Sequence, residues 1–229
     1  MSAMRTTAII PVKKFASAKG RLAGTLPASA RKTLSRAMLG DVLEALGESS
    51  EVKRILLVTN EWDLPVVDVS WTGIPDLRRS THSAAASKGV EHAMEEGADC
   101  VALLPGDCPL LDPAELDGAL RRGRPGRVAV IPDRHGSGTN ALVLSPPDAL
   151  EPAFGPGSRE RHEKLARGFG HTLAVERLYS LSVDLDTYED LTVLRQALDR
   201  NPELAPRTAA AIAELRRDVE SAAERGSVP

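Results

Sequence analysis

The sequence predicts an α/β fold in which helices cover both faces of a mixed but mainly parallel sheet. Short apolar runs rich in β-branched residues alternate along the chain with longer stretches of helical period, which is the pattern of such folds. The 229 residues, 42% of them hydrophobic, are enough for one substantial core. With 29 basic and 32 acidic residues the net charge is only −3, so bulk charge favours neither a nucleic-acid nor a membrane partner.

The elements of the first half follow from these two periods. Thr7–Val12 is an almost continuous apolar run and is predicted as the first strand. From Ala28 to Leu46, apolar residues that include Leu34, Met38 and Val42 recur on one side, which predicts an amphipathic helix. Beyond it we expect strands at Arg54–Thr59, Val66–Val69 and Asp99–Leu104, and a helix at Ser83–Glu96 that ends at Gly97.

The second half shows the same alternation. Asp112 directly precedes Pro113, which predicts a capped helix start. A last helix is expected to dock or to form a dimer through Ile212, Leu215 and Val219. The predicted elements are strands at Arg127–Ile131, Asn140–Leu144 and Leu181–Leu185, and helices from Arg159 to about Gly168, around Leu191, Leu194 and Leu198, and from Arg207 to about Arg225.

One domain accounts for most of the chain. We predict it at residues 1–203, followed by a helix and tail at residues 204–229 that belong to the same domain. The two cysteines, Cys100 and Cys108, lie near apolar runs and favour neither a disulfide framework nor a cysteine-ligated metal site. The apolar runs are too short for a transmembrane helix or a signal peptide. We therefore expect a cytoplasmic protein.

A basic loop follows the first predicted strand. Four cations, Lys13, Lys14, Lys19 and Arg21, fall within nine residues, and small residues between them would let backbone N–H groups approach a ligand. Such a loop at the edge of a sheet suits a polyphosphate. It does not have the spacing of a P-loop. The alternative is a basic loop that is merely exposed to solvent.

Three aspartates lie at or beside predicted strands. Asp107 follows the apolar run that ends at Leu104, and open α/β sheets bind ligands at this end of a strand. Asp184 and Asp186 flank Leu185, and carboxylates two residues apart on a strand share one face. Three such carboxylates would suit Mg²⁺. The alternative for Asp184 or Asp186 is that it caps the helix that follows.

Two glycine-rich turns offer hydroxyl and N–H donors. They are Gly136-Ser-Gly-Thr-Asn140 and Gly155-Pro-Gly-Ser158, the second at the start of a predicted helix. Either turn suits a phosphorylated or carboxylated small molecule, and the alternative for each is an ordinary tight turn. If the acceptor is itself a phosphate, its second pKa near 6 leaves it anionic at neutral pH, so no general base is required.

Five segments, taken in order, resemble the guanylyltransferase family of coenzyme F420 biosynthesis over about residues 5–200. The resemblance implies a three-layer, Rossmann-like nucleotidyltransferase sandwich. It also implies an enzyme that transfers GMP from GTP to the phosphate of phosphoenolpyruvate or 2-phospho-L-lactate and releases pyrophosphate. The segments are Pro11-Val-Lys…Ala18-Lys-Gly-Arg-Leu22, Leu104-Pro-Gly-Asp-Cys-Pro-Leu110, Asp133…Gly138-Thr-Asn-Ala-Leu142, Phe154-Gly-Pro-Gly-Ser158 and Val183-Asp-Leu-Asp-Thr187.

The resemblance also implies roles for single residues. The catalytic residues would be Lys13, Lys19, Arg21 and Asp107, with the three cations on the GTP phosphates. The acceptor would be held by Thr139, Gly155 and Ser158, and Mg²⁺ by Asp107, Asp184 and Asp186. The segment Ser80-Thr-His-Ser-Ala-Ala-Ala86 departs from the Gly-Leu-Asn-like pattern that contacts the base in related enzymes.

Other functions are compatible with part of this pattern. A molybdenum-cofactor or sugar-phosphate nucleotidyltransferase would share the basic loop and the aspartates, although the compact acceptor turns favour a small acid. A catalytically silent nucleotide-binding module is the alternative that is not an enzyme. The acceptor stays open among phosphoenolpyruvate, 2-phospho-L-lactate and 3-phosphoglycerate, and a homodimer is a further expectation.

Overall fold

A seven-stranded sheet forms the middle layer of the protein in the computed structural model, which describes residues 4–76, 81–123 and 125–226. The strand order is β3-β2-β1-β4-β6-β5-β7. Only β6 runs against the others in this sheet, since its pairings with β4 and β5 are antiparallel and the other pairings are parallel. The strands are β1 (Thr6–Val12), β2 (Val52–Thr59), β3 (Thr72–Pro75), β4 (Cys100–Leu103), β5 (Arg127–Pro132), β6 (Thr139–Ser145) and β7 (Thr172–Val175).

Six helices accompany the sheet in the described ranges. Asp112 caps α3 by accepting hydrogen bonds from the N–H groups of Ala114 and Glu115, as predicted. The helices are α1 (Ala28–Glu48), α2 (His82–Glu95), α3 (Pro113–Arg121), α4 (Ser158–Gly168), α5 (Tyr188–Arg200) and α6 (Pro206–Gly226). The α/β fold with a mainly parallel mixed sheet is therefore confirmed. None of these helices combines the length and the apolar character that a membrane crossing requires.

Alternation along the strands divides the core into two layers. Ile10 of β1 packs with Leu39 and Leu43 of α1 on one face of the sheet. Its neighbour Ile9 points to the other face and packs with residues of α2. Gly89 of α2 lies so close to the sheet that a Cβ atom there would collide with Cγ2 of Ile9. The first strand is thus held between helices on both sides, and the loop that follows it starts from a rigid support.

The C-terminal helix docks on α1. The N–H groups of Arg207 and Thr208 donate to the carboxylate of Asp41 over 3.0 and 2.8 Å, and Arg207 also pairs with Glu44. Ala211 and other apolar residues of α6 are buried in a third cluster with α1 and α5. Docking, one of the two predicted roles of this helix, is thus confirmed. The predictions that concern Ser80, the side chain of Val219 and residues 227–229 lie outside the described part of the chain.

Two predicted strands are wrong. Val66–Val69 is irregular with Val66 81% exposed, and the strand that pairs with β2 is β3, where Ile74 is buried. Leu181–Leu185 is not a strand either, because a 3-10 turn ends at Leu181 and the chain then runs irregularly. Leu185 is buried in the helical cluster beside α1 and α5 and has no strand partner. The strands missed by prediction are β3 and β7, and β7 pairs in parallel with β5.

Candidate active site

The loop after β1 turns one of its lysines inward. Two 3-10 turns, Phe15–Ser17 and Gly20–Leu22, follow the strand, and Lys19 between them has φ 57° in the left-handed region. Non-glycine residues seldom adopt this conformation, so neighbouring contacts must maintain it. The side chain of Lys19 is only 7% exposed, and its Nζ contacts the carboxylate of Asp107 and lies 3.3 Å from Oδ1 of Asp186. Burial lowers the pKa of Lys19, but the two carboxylates outweigh burial and raise it overall.

Two adjoining cavities open at the carboxyl end of β1. The first, of about 460 Å³, includes Asn60, Asp76 and Thr81 in its lining. The second, of about 550 Å³, is lined on its basic side by Lys19 and Arg21 and on its acidic side by Asp107 and Asp186. They share several lining residues: Pro11, Val12, Lys13, Ser17 and His82. We refer to the pair as the cleft. Its position matches the edge of the sheet at which ligands bind in open α/β folds.

The three predicted aspartates come together although two of them are not on a strand. The N–H of Leu185 donates to the carbonyl oxygen of Asp107 over 3.3 Å, which ties the irregular segment to the end of β4. Asp184 accepts a hydrogen bond of 3.2 Å from Nδ2 of Asn140, the second residue of β6. Burial raises the pKa of Asp184, and the charges of Asp107 and Asp186 raise it further. The three carboxylates therefore repel one another in a partly buried place.

The alternative role for Asp186 as the cap of α5 is wrong. Thr187 caps this helix instead, because its side chain accepts from the N–H of Asp190 and the Asp190 carboxylate accepts in return from the N–H of Thr187. Asp186 instead directs its carboxylate to Lys19 and, over 3.6 Å, to Arg21. The capping box leaves Asp186 available to the cleft.

The donor chemistry of the acidic cluster fits a hard divalent cation. Carboxylate oxygens are the ligands that Mg²⁺ prefers, and the raised pKa of Asp184 indicates a cluster in which additional positive charge is favourable. The present arrangement differs from a formed metal site. Within residues 4–76, 81–123 and 125–226 no three His, Cys, Asp or Glu side chains are arranged to hold a metal ion. Lys19 lies between Asp107 and Asp186 and supplies positive charge there.

Cys108 follows Asp107 directly and packs in the core below the cleft. It is fully buried, and burial, together with the neighbouring carboxylates, raises the pKa of its thiol well above the usual value. Such a thiol is neutral and unreactive at neutral pH. Cys108 is thus a packing residue of the core.

Thr139, Gly155 and Ser158 form a separate region beside the acidic cluster. Thr139 donates its backbone N–H to Oγ of Ser158 over 2.9 Å. Gly155 has φ 113°, which favours glycine, and Ser158 is the first residue of α4. Thr139 and Ser158 are almost fully buried, and none of the three lines either cavity of the cleft. Asn140, which reaches Asp184, joins this region to the acidic cluster.

Two histidines and a phenylalanine contact one another beside the cleft, and none of the three was among the predicted site residues. His82 lines both cavities, and burial lowers its pKa. Its ring meets that of Phe154 edge-on at 4.9 Å, and Phe154 meets the ring of His162 at 5.3 Å. The N–H of Phe154 also donates to Oγ of Ser83 over 2.9 Å. The turn that begins at Phe154 is therefore attached to the start of α2. The spacing of the histidines in the sequence does not reveal these ring contacts, because the fold brings His82 and His162 to the ring of Phe154.

Comparison with known proteins identifies the relatives of the chain. A family model described as guanylyl transferase CofC like matches residues 6–196. The phosphoenolpyruvate guanylyltransferase of Conexibacter woesei is 43% identical over 199 residues, which cover 85% of this chain and 89% of the relative. The 2-phospho-L-lactate guanylyltransferase of Methanothermobacter thermautotrophicus is 35% identical over 191 residues, which cover 82% and 83%.

Solved structures confirm the predicted three-layer nucleotidyltransferase fold. A protein of Desulfovibrio desulfuricans G20, provisionally named a nucleotide-diphospho-sugar transferase, matches with a TM-score of 0.71 and 17% identity over 96% of this chain and 98% of its own. A cytidylyltransferase of Leptospira borgpetersenii matches with a TM-score of 0.56 and 15% identity over 95% and 96%. At these identities the likeness concerns the fold alone.

Proposed function

Since the chain belongs to the guanylyl transferase CofC-like family, we propose that it transfers GMP from GTP to the phosphate of phosphoenolpyruvate or 2-phospho-L-lactate in coenzyme F420 biosynthesis. The observation that carries this proposal is the cleft, in which a cationic loop faces an acidic cluster across the carboxyl edge of the sheet. A polyphosphate and a divalent cation together need both signs of charge in one place.

GTP would extend over both cavities. Lys13, which lines both, would contact the phosphates together with Lys19 and Arg21 and stabilise the charge that develops on the departing pyrophosphate. The nucleoside would occupy the first cavity, where the side chains of Asn60 and Asp76 offer the donors and acceptors that a guanine edge requires.

The acidic cluster would hold Mg²⁺. The ligands would be Asp107, Asp184 and Asp186, the three carboxylates whose charges interact. Mg²⁺, when bound, neutralises charge on phosphate oxygens. Lys19 would then be free to contact the phosphates, because the doubly charged Mg²⁺ would replace it as the partner of Asp107 and Asp186.

The acceptor would lie at the turn that leads into α4. The hydroxyl groups of Thr139 and Ser158 and the backbone at Gly155 would hold its phosphate and carboxylate near the helix N-terminus. An oxygen of this phosphate would attack the α-phosphorus of GTP, and the bond between the α-phosphorus and the β-phosphate oxygen would break. The attacking oxygen is already anionic near neutral pH, so the reaction needs no general base.

An acceptor assay tests the proposal. Purified protein is incubated with GTP, Mg²⁺ and, in separate reactions, phosphoenolpyruvate, 2-phospho-L-lactate or 3-phosphoglycerate. We expect pyrophosphate release with phosphoenolpyruvate or 2-phospho-L-lactate and a product whose mass equals acceptor plus GMP minus water. Reactions without acceptor or with EDTA serve as controls. The absence of product with all three acceptors would reject the proposal.

A further inference from the structure

His162 has two different partners, one on each ring nitrogen. The residue is fully buried on α4. Its Nε2 lies 2.9 Å from the backbone N of Ala153, and its Nδ1 lies 3.0 Å from Oγ1 of Thr139. The backbone N–H of Ala153 is always a donor, so Nε2 must accept and carries no proton. In a neutral ring the proton is then on Nδ1, and Nδ1 donates to Thr139.

This assignment decides the direction of the next hydroxyl. Because Oγ1 of Thr139 accepts from His162, its own proton has to be donated elsewhere. The same reasoning applies to Ser158, whose Oγ accepts from the N–H of Thr139. Within the contacts of the described residues, neither hydroxyl proton is donated to a protein acceptor. Two oriented hydroxyl donors therefore lie side by side at the start of α4.

The surroundings of His162 keep it neutral. Burial, with a smaller contribution from the charge of Arg161, lowers the pKa of His162 to about 4. The ring of Phe154 covers one side of His162 at 5.3 Å. A protonated ring would carry a proton on Nε2 that faces the N–H of Ala153, so the geometry and the burial require the same neutral form.

We propose that His162 is a positioning residue for the acceptor, which turns the hydroxyl proton of Thr139 towards an anionic phosphate or carboxylate beside the hydroxyl group of Ser158. This inference rests on the proposed function, which assigns the acceptor to these hydroxyl groups. His162 acts on the hydroxyl group of Thr139. Oγ of Ser158 is held separately by the backbone N–H of Thr139. His162 itself remains buried and does not touch the acceptor.

Two substitutions separate the contacts of His162. His162→Asn places an amide N–H near the position of Nδ1 and keeps the donor to Thr139. His162→Gln reaches the N–H of Ala153 with its amide oxygen but loses that donor. We expect His162→Gln to raise the KM for the acceptor about tenfold, the effect of one misdirected hydrogen bond. The KM for GTP should not change in either variant, and His162→Asn should stay within about threefold of the original acceptor KM.

A structural role would give a different result. If His162 only filled space, both variants would lower the melting temperature and the active fraction and would leave the acceptor KM unchanged. An unchanged acceptor KM in folded His162→Gln would thus overturn the inference while the proposed function stands. Absence of turnover by the unmodified protein would overturn the proposed function and, with it, the role of His162.

A second measurement observes His162 in the unmodified protein. Long-range ¹⁵N–¹H correlation spectra of the unmodified protein report which nitrogen of His162 carries the proton. We expect a neutral ring protonated on Nδ1 at pH 7, with Thr139→Val and His162→Asn used to assign the signals. A proton on Nε2 would reverse the direction of the Thr139 hydroxyl group and overturn the inference.

Discussion

At the scale of single residues, the structure shows charge pairs in the cleft that the sequence alone does not reveal. The sequence shows that Lys19 is one of several cations in a loop, but not that its side chain is buried between two carboxylates. Its partners Asp107 and Asp186 are 88 and 167 positions away, so only the fold brings them together. Asp107 was recognisable because it follows an apolar run, and Asp184 and Asp186 were recognisable because they flank Leu185. Their repulsion and the position of Lys19 were not, since both depend on tertiary distances.

Asp107→Asn tests the acidic cluster. The substitution removes the charge that pairs with Lys19 and one proposed Mg²⁺ ligand, so kcat/KM should fall about a hundredfold, as for other losses of transition-state charge stabilisation. Asp99→Asn is the matched control, because Asp99 precedes the same strand but pairs with exposed Arg5. Steady-state pyrophosphate release measures both variants. Near-normal turnover by folded Asp107→Asn would contradict the assignment.

The burial of His162 makes stability depend on pH in a defined window. Its folded pKa of about 4 lies below the ordinary value of 6.5, so the unfolded chain binds more protons between these values. The contribution of His162 is fully present above pH 6.5, is lost as the pH falls towards 4, and amounts to about 3 kcal/mol at most. The free energy of unfolding, measured with urea at several pH values, should depend on pH more steeply for the original protein than for His162→Asn, and only within this window. The same pH dependence for both proteins would contradict the lowered pKa of His162.

At the scale of elements, the apolar period predicts those strands and helices whose own sequence carries a run or a stripe of buried residues. The predicted limits of β1, β2, β4, α1 and α2 agree with the observed ones to within about two residues. The edge strand β7 has no buried run, because Thr172 is exposed, Val175 is 41% exposed and only β5 pairs with it. The prediction of a strand at Leu181–Leu185 failed for a related reason. Leu185 is buried by helices and not by neighbouring strands.

Close packing of α2 on β1 gives an element-scale prediction. Gly89→Ala should destabilise the protein by about 1–2 kcal/mol, because the new methyl group meets Cγ2 of Ile9 and of Val58, both on stiff β-branched side chains. The gain in helix propensity, about 1 kcal/mol, does not compensate. Gly118→Ala in α3 is the control, because only the mobile end of Arg122 is nearby, at 3.4 Å. Chemical denaturation should show Gly118→Ala as neutral or more stable, and a stabilised Gly89→Ala would contradict the packing argument.

At the scale of the whole molecule, α6 adds a third cluster outside the two layers of the sheet. It packs with α1 and α5 through buried residues that include Ala211 and Ile212. The sequence predicted an apolar face on this helix but left open whether it docks or forms a dimer. Docking depends on a buried carboxylate, Asp41, whose partners are more than 160 positions away, so local pattern does not reveal it. The predicted homodimer would have to use residues that docking leaves exposed.

Asp41→Ala tests how far this docking supports the rest of the molecule. The substitution leaves the N–H groups of Arg207 and Thr208 without their acceptor in a buried place, which should cost about 2 kcal/mol. Hydrogen exchange should accelerate in α6 and remain unchanged in β1 and β4. Glu44→Ala, which breaks only a half-exposed ion pair with Arg207, should cost less than about 1 kcal/mol. Equal acceleration throughout the sheet would show that α6 is not a separate unit.

The single reversed strand, β6, separates the residues proposed for the acceptor from those proposed for GTP. Because β6 runs opposite to its neighbours, its first residues rather than its last lie at the ligand edge of the sheet. Thr139 and Asn140, the first residues of β6, are therefore placed at this edge by the turn at residues 133–138, whereas the residues proposed for GTP follow the ends of parallel strands. Under the proposed function, exchange of this turn and α4 would change the acceptor acid and leave the residues proposed for GTP in place. Reversal of one strand thus places the two proposed binding regions on different segments, so that each can change in evolution without the other.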